Sequence, residues 1–196
     1  FYGSHQLLGI KVLDLCDLKK DGRHLYYIEN GKKIDVEKIY NRVIFDELDK
    51  RKDLVTEFDF RDEVDVEWIG HPNWFFKISK YTMPFIHHNP YIPETRFLNT
   101  ISHIPNDLEN YVLKPLFSFS GEGVKFNVTH QDVEQVKDPE NWILQEKVHY
   151  HAGIETPNPD EPVKFEIRMM HTWEQGAPKP RLINNLIRMS KGEMIG

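Results

Sequence analysis

The sequence predicts an α+β fold built from short strands and a few short helices. Two patterns predict it: short apolar runs recur between turn-forming residues, and only a few stretches space their apolar residues as a helix does. Of the 196 residues 39% are hydrophobic, which suffices for a packed core. With 31 acidic residues against 25 basic ones, the net charge of -6 argues against a dedicated nucleic-acid-binding face.

In the first third, residues 8–15 are typical of a buried strand. Asn30-Gly31 between the apolar runs 25–28 and 33–36 predicts a hairpin with a type I′ turn. Residues 39–44 predict one more strand, and residues 75–81 a short helix. Between them, residues 46–67 hold ten acids against four bases and a weak apolar stripe, which favours a solvated amphipathic helix.

The second half predicts more strands. They lie at residues 111–116, 124–128, 142–148, 163–170 and 181–189, with a short helix at residues 131–136. A polar, glycine-bearing loop at residues 118–123 separates the first two strands.

That loop is the sharpest candidate for binding. Glycines let backbone N–H groups turn toward a phosphate, although an ordinary turn explains Gly121 and Gly123 equally well. Lys114 favours the phosphate-binding interpretation, because burying an ammonium in an apolar strand costs free energy when no anion accompanies it. The alternative places Lys114 on a solvent face.

Other chemistry-bearing residues give weaker signals. Glu166 and Arg168 project to one face of a strand, near Arg181, Arg188 and Lys191; this set suits a phosphate or carboxylate, and a salt-bridge ladder is the competing interpretation. The histidines have no metal-ligand spacing. Cys16 is expected to be a buried thiol, and its being the single cysteine favours a reducing, cytoplasmic location. No apolar run is long enough for a membrane span, and no secretory signal is visible.

An ordered set of motifs resembles the ATP-grasp superfamily, within it the glutathione synthetase-like and glutathionylspermidine synthetase-like carboxylate–amine ligases. The motifs are Tyr111-Val112-Leu113-Lys114-Pro115, the loop from Ser118 to Val124, Ile143-Leu144-Gln145-Glu146-Lys147-Val148, Phe165-Glu166-Ile167-Arg168 and Asn185-Leu186-Ile187-Arg188. The resemblance implies two α+β subdomains gripping a nucleotide, after the end of a pre-ATP-grasp α/β domain. The implied divisions are residues 1–70, the remainder of that domain; 71–142, the small subdomain; and 143–196, an incomplete large subdomain.

The resemblance also implies roles for single residues. Lys114 contacts the nucleotide phosphates, and the loop residues Ser118, Ser120, Gly121 and Gly123 close over them. Lys80 is the candidate for a second nucleotide-binding lysine that precedes this core. Backbone groups of Gln145, Glu146, Lys147 and Val148 hold adenine, and Glu155 takes the ribose. Arg168 lies near the transferred phosphoryl group, with Asn185 and Arg188 facing the same pocket.

The implied reaction is ATP-dependent joining of a carboxylate to an amine through an acyl phosphate, with ATP and Mg²⁺ as cofactors. The partners are small carboxylate and amine substrates or a peptide or protein terminus, without nucleic acid or membrane. Glu166 is the candidate metal ligand. The family's other metal ligands lie on later strands that this sequence does not reach, so its activity by itself is left open. Two alternatives remain: a noncatalytic nucleotide-binding or scaffold protein with the same fold, and a plain interaction module.

Overall fold

The chain is an α+β protein whose strands form four small sheets. The computed structural model describes residues 2–86, 89–118, 121–151, 153–157 and 163–192. The chain divides into two compact units, Phe1–Ile86 and His87–Gly196. None of the helices in the described ranges is long and apolar enough to cross a membrane.

The first unit contains an antiparallel three-stranded sheet and a parallel pair of strands. Its elements are α1 (Tyr2–Leu8), β1 (Lys19–Asp21), β2 (His24–Glu29), β3 (Lys32–Asp35), β4 (Lys38–Tyr40), α2 (Phe45–Lys50), β5 (Glu67–Ile69) and α3 (Trp74–Lys77), followed by a 3₁₀ helix at Lys80–Phe85. The predicted hairpin is confirmed: β2 pairs with β3, and Asn30 and Gly31 have φ of 51° and 73°. Leu18, Leu25 and Phe58 form the buried core.

Three predictions for this unit are wrong, and one strand is shorter than predicted. Residues 8–15 form no strand: α1 ends at Leu8, and the apolar run that follows is unpaired, with Ile10 and Val12 exposed. Helix in the acidic stretch 46–67 is confined to α2, because β5 ends the stretch and Phe58 turns into the core. The strand predicted at 39–44 is shorter, since β4 ends at Tyr40. The thiol of Cys16 is exposed, not buried.

The second unit has an antiparallel sheet with strand order β6-β8-β7 and a long hairpin. Its elements are β6 (Thr95–Phe97), β7 (Tyr111–Pro115), α4 (His130–Glu134), β8 (Trp142–Glu146), β9 (Lys164–Thr172) and β10 (Arg181–Ser190). Strands β7 to β10 and helix α4 confirm the predictions. The strand predicted at 124–128 is wrong in extent, since pairing is limited to one bridge between Leu113 and Lys125.

The sheet β6-β8-β7 is buried on both faces. One face, bearing Leu113 and Leu144, packs in a cluster with Leu98, Leu108 and Val128. The other face carries Ile143, which is fully buried. A capping box at Thr129 and Asp132 begins α4, and Val133 within this helix packs against the cluster that contains Leu113 and Leu144.

The hairpin β9–β10 has two different faces. Directly opposite residues share a face, so the register Glu166↔Arg188 and Ile167↔Ile187 assigns each pair to one side. The charged face bears Lys164, Glu166, Arg168 and Arg188, and the apolar face bears Phe165, Ile167, Met169, Ile187 and Met189. Ile167 and Ile187 are each 54% exposed.

Candidate functional site

The candidate site lies on the face of the sheet β6-β8-β7 that carries Ile143. The register pairs Lys114 with Ile143 and places Gln145 opposite both Val112 and Thr95. Because residues two apart on a strand share a face, Lys114, Gln145 and Thr95 project to the same side. Three neighbouring strands therefore bring these polar groups together.

Lys114 is only partly exposed and has a neutral partner. Its Nζ donates a hydrogen bond to Oε1 of Gln145 at 2.5 Å. No carboxylate of the described residues forms a salt bridge with it, and burial alone lowers the pKa of its ammonium below the ordinary 10.5. The solvent-face alternative for Lys114 is thus wrong, and the charge remains uncompensated within this part of the chain.

The glycine loop leaves the end of β7 and returns to it. Backbone hydrogen bonds between Leu113 and Lys125, at 2.9 and 3.0 Å, close the loop. Gly121 and Gly123 have φ of 81° and 74°, and a Cβ on Gly123 would lie 3.0 Å from Cγ of Pro115. The backbone conformation at position 123 therefore favours glycine, and a Cβ there would make a tight contact with Pro115. Ser118 precedes the turn; the predicted Ser120 lies outside the described residues.

The predicted adenine-binding segment follows the central strand β8. The N–H groups of Glu146 and Lys147 donate to the carbonyls of Glu94 and Asn110 at 2.9 and 2.8 Å. The carboxylate of Glu146 also accepts from the N–H of Glu94 at 3.0 Å. Two backbone donors of the segment are therefore used inside the protein, and Val148 beyond them is half exposed.

The charged face of the hairpin brings three predicted residues together. Oε1 of Glu166 lies 2.9 Å from Nη1 of Arg188 and 3.8 Å from Nη2 of Arg168. Asn185 pairs with Met169 and lies on the apolar face, so the expectation that it faces the same pocket as Arg188 is wrong. Residues three apart on a regular strand point to opposite sides.

No three potential metal ligands cluster among the residues that the structure describes. The carboxylate of Glu166, the predicted ligand, is held by the two arginines. Glu155 lies exposed outside any strand, and Lys80 begins the 3₁₀ helix of the first unit.

A separate aromatic cleft of about 510 Å³ lies within the first unit. Its lining includes Phe45, Phe58, Phe60, Phe75 and Phe76. Charges at its rim pair with each other, Lys52 with Asp49 at 2.8 Å and Arg61 with Asp59 at 2.6 Å. The hydrogen bond from Arg61 lowers the pKa of Asp59 to about 2. These four charged side chains are therefore already paired with one another within the first unit.

Thr95 is the residue of the site that the sequence did not reveal. It is buried on β6, and its Oγ1 accepts a hydrogen bond from Nε2 of Gln145 at 2.7 Å. A glutamine inside the apolar run of β8 signals a buried amide that needs partners. The identity of that partner, 50 residues away, depends on strand pairing.

Compared with models of known protein families and with curated proteins, the sequence matches none at a significant level.

Proposed function

We propose that the chain is part of an ATP-grasp carboxylate–amine ligase and that Lys114 binds the phosphates of ATP. The observation that carries the proposal is the uncompensated ammonium of Lys114 beside a glycine loop. A half-buried cation with a neutral partner gains most from an anion, and a polyphosphate is an anion that backbone N–H groups of such a loop also bind.

The order of motifs supports the rest of the proposal. Lys114, the glycine loop, β8, Glu166 with Arg168, and Arg188 follow one another as in the ligases that the sequence resembles. In the proposed reaction a substrate carboxylate oxygen attacks the γ-phosphorus of ATP, giving an acyl phosphate and ADP. An amine nitrogen then attacks the acyl carbon and releases phosphate, forming an amide and freeing a proton.

The protein's own part in this reaction is electrostatic. Cations stabilise the charge on a phosphoryl group in transfer, a role that we assign to Lys114, Arg168 and Arg188. The loop of Gly121 and Gly123 would close over the phosphates and keep water from the acyl phosphate. Magnesium accompanies ATP in such reactions and would be held mainly by the phosphates with one or two carboxylates, for which Glu166 is the candidate.

Nucleotide binding is the direct test. We expect calorimetric titration of the whole chain with ATP–Mg²⁺ to show binding that Lys114→Ala removes. Lys125→Ala is the matched control: Lys125 pairs with Leu113, projects to the opposite face of the sheet, and its Nζ lies 3.5 Å from Asp132. Absence of binding by the unaltered chain, or equal binding by Lys114→Ala, would contradict the proposal.

The second candidate function is nucleotide binding without catalysis. The ion pairs of Glu166 with Arg188 and Arg168 favour it, because they occupy the charged face that the ligase reaction would use. ATP binding without release of ADP across a panel of carboxylates and amines would support this second function. Release of ADP that depends on both substrates would support the ligase.

A further inference from the structure

Three consecutive hydrogen bonds connect the ammonium of Lys114 to a backbone carbonyl, and in each of them the donor and the acceptor are determined. Lys114 Nζ donates to Gln145 Oε1 at 2.5 Å, and Gln145 Nε2 donates to Thr95 Oγ1 at 2.7 Å. The hydroxyl of Thr95 donates to the carbonyl of Pro93 at 3.1 Å. An ammonium can only donate and a carbonyl can only accept, so the two ends determine the direction of every bond between them.

The same three bonds fix the side chain of Gln145. Its amide is buried, and turning it over would place NH₂ against the ammonium of Lys114. The contact with Thr95 prevents this, because the hydroxyl proton is committed to Pro93 and leaves Oγ1 to accept. The oxygen of Gln145 therefore stays directed at Lys114.

This arrangement orients Lys114 without neutralising it. One of the three ammonium protons is bound by a neutral oxygen, and the other two have no hydrogen-bond partner among the described residues and can bind a ligand. A glutamate at position 145 would have nearly the same shape and would satisfy the lysine better as a structural partner. It would also cancel the charge that attracts an anion.

We propose that Gln145 and Thr95 are positioning residues that hold Lys114 as an uncompensated cation for a phosphate-bearing ligand. The inference rests on the proposed function in taking that ligand to be the polyphosphate of ATP. Gln145 determines specificity for an anion by being neutral, and Thr95 acts through Gln145 by fixing the amide.

The test uses the whole chain with two probes, ATP–Mg²⁺ and inorganic tripolyphosphate, titrated by calorimetry. Gln145→Glu is expected to weaken both by about tenfold or more, since a charge-assisted hydrogen bond to the ligand is lost to an internal ion pair. Its melting temperature is expected to change little, because the new ion pair with Lys114 offsets the hydrogen bond that Gln145 donated to Thr95. A purely structural role for Gln145 predicts unchanged affinity instead.

Thr95 supplies a second, independent pair of variants. Thr95→Val removes the hydroxyl at nearly constant shape and is expected to weaken both probes several-fold. Thr95→Ser keeps the hydroxyl and is expected to restore the affinity. If Gln145→Glu does not fold, this pair of variants tests the positioning role by itself.

The outcomes separate the two proposals. Binding of both probes that is unaffected by Gln145→Glu, or by Thr95→Val where Gln145→Glu does not fold, overturns the positioning role and leaves the nucleotide function standing. Binding of tripolyphosphate without ATP, weakened by these variants, supports the positioning role and contradicts the nucleotide function. Binding of neither probe overturns both.

Discussion

Lys114 in the sheet β6-β8-β7 and Arg188 in the hairpin β9–β10 are both cations on strands, yet they meet opposite kinds of neighbour. Arg188 lies 2.9 Å from the carboxylate of Glu166, whereas Lys114 lies 2.5 Å from the neutral amide of Gln145. An ion pair satisfies its members, while a cation beside an amide retains its attraction for an anion. We therefore expect an anionic ligand to bind at Lys114 more readily than at Arg188.

The sheet and the hairpin also differ in how well their side chains are packed. Ile143 in the sheet is completely buried, but Ile187 in the hairpin is 54% exposed. The sheet has three strands and is buried on both faces, whereas the hairpin has two strands with both faces largely exposed. A two-stranded hairpin is marginally stable by itself, so we expect the sheet to dominate the stability of the second unit.

The largest expected effect compares these two isoleucines. Ile143→Ala creates a cavity and should lower the free energy of unfolding by about 2–5 kcal/mol. Ile187→Ala should cost about 1 kcal/mol or less because its side chain is half exposed. Urea denaturation of both variants measures the difference. Equal losses would mean that the hairpin is as well packed as the sheet.

A matched pair of glycines gives the next largest effect. Gly123 and Gly176 both have positive φ, 74° and 83°, so alanine at either site should cost about 1–2 kcal/mol. Gly123→Ala should cost more, since only there does the new Cβ meet Pro115, at 3.0 Å; around Gly176 the space is open. Thermal unfolding should rank the two variants in this order, and the reverse order would show that Pro115 yields without cost.

The ion pair of the hairpin should contribute less. Glu166→Gln removes the charge that faces Arg188 and Arg168, and we expect a loss of about 0.5–1 kcal/mol because these side chains remain partly solvated. The loss should shrink in 1 M salt. A loss of several kcal/mol that salt does not change would identify the pair as fully buried.

The last prediction concerns the pH dependence of Lys114. Burial lowers its pKa below 10.5 in the folded chain, so the unfolded chain holds this proton more tightly. The charge therefore destabilises the fold at neutral pH, and stability recovers as pH rises from the lowered pKa toward 10.5.

Lys114→Met removes this effect. Its free energy of unfolding relative to the unaltered chain should therefore fall as pH increases from 7 toward 10.5. Denaturation of both proteins at several pH values measures the difference, and groups common to both cancel. A constant difference would show that the folded and unfolded chains bind the proton of Lys114 equally.

Much of the local structure follows from sequence alone. Asn30-Gly31 predicts its hairpin because both residues tolerate positive φ, and strands β7 to β10 follow from alternating or continuous apolar runs. The failures arise where tertiary contacts outweigh local preference. Residues 8–15 have strand composition but find no partner, and Phe58 in the acidic stretch gains more from the core than from a helix. A strand exists only when another segment pairs with it.

The candidate site likewise has features that the sequence predicts and features that it does not. The amino-acid pattern predicts that Lys114 lies in an apolar strand before a glycine loop. It also predicts that Glu166 and Arg168 share a face, because strand geometry has a period of two. Three further facts become visible only in the folded chain: Thr95 and Gln145 meet, the amide oxygen of Gln145 faces Lys114, and Asn185 lies on the face opposite to Arg188. Those facts depend on the register between strands distant in sequence, which burial and pairing of the whole sheet establish together.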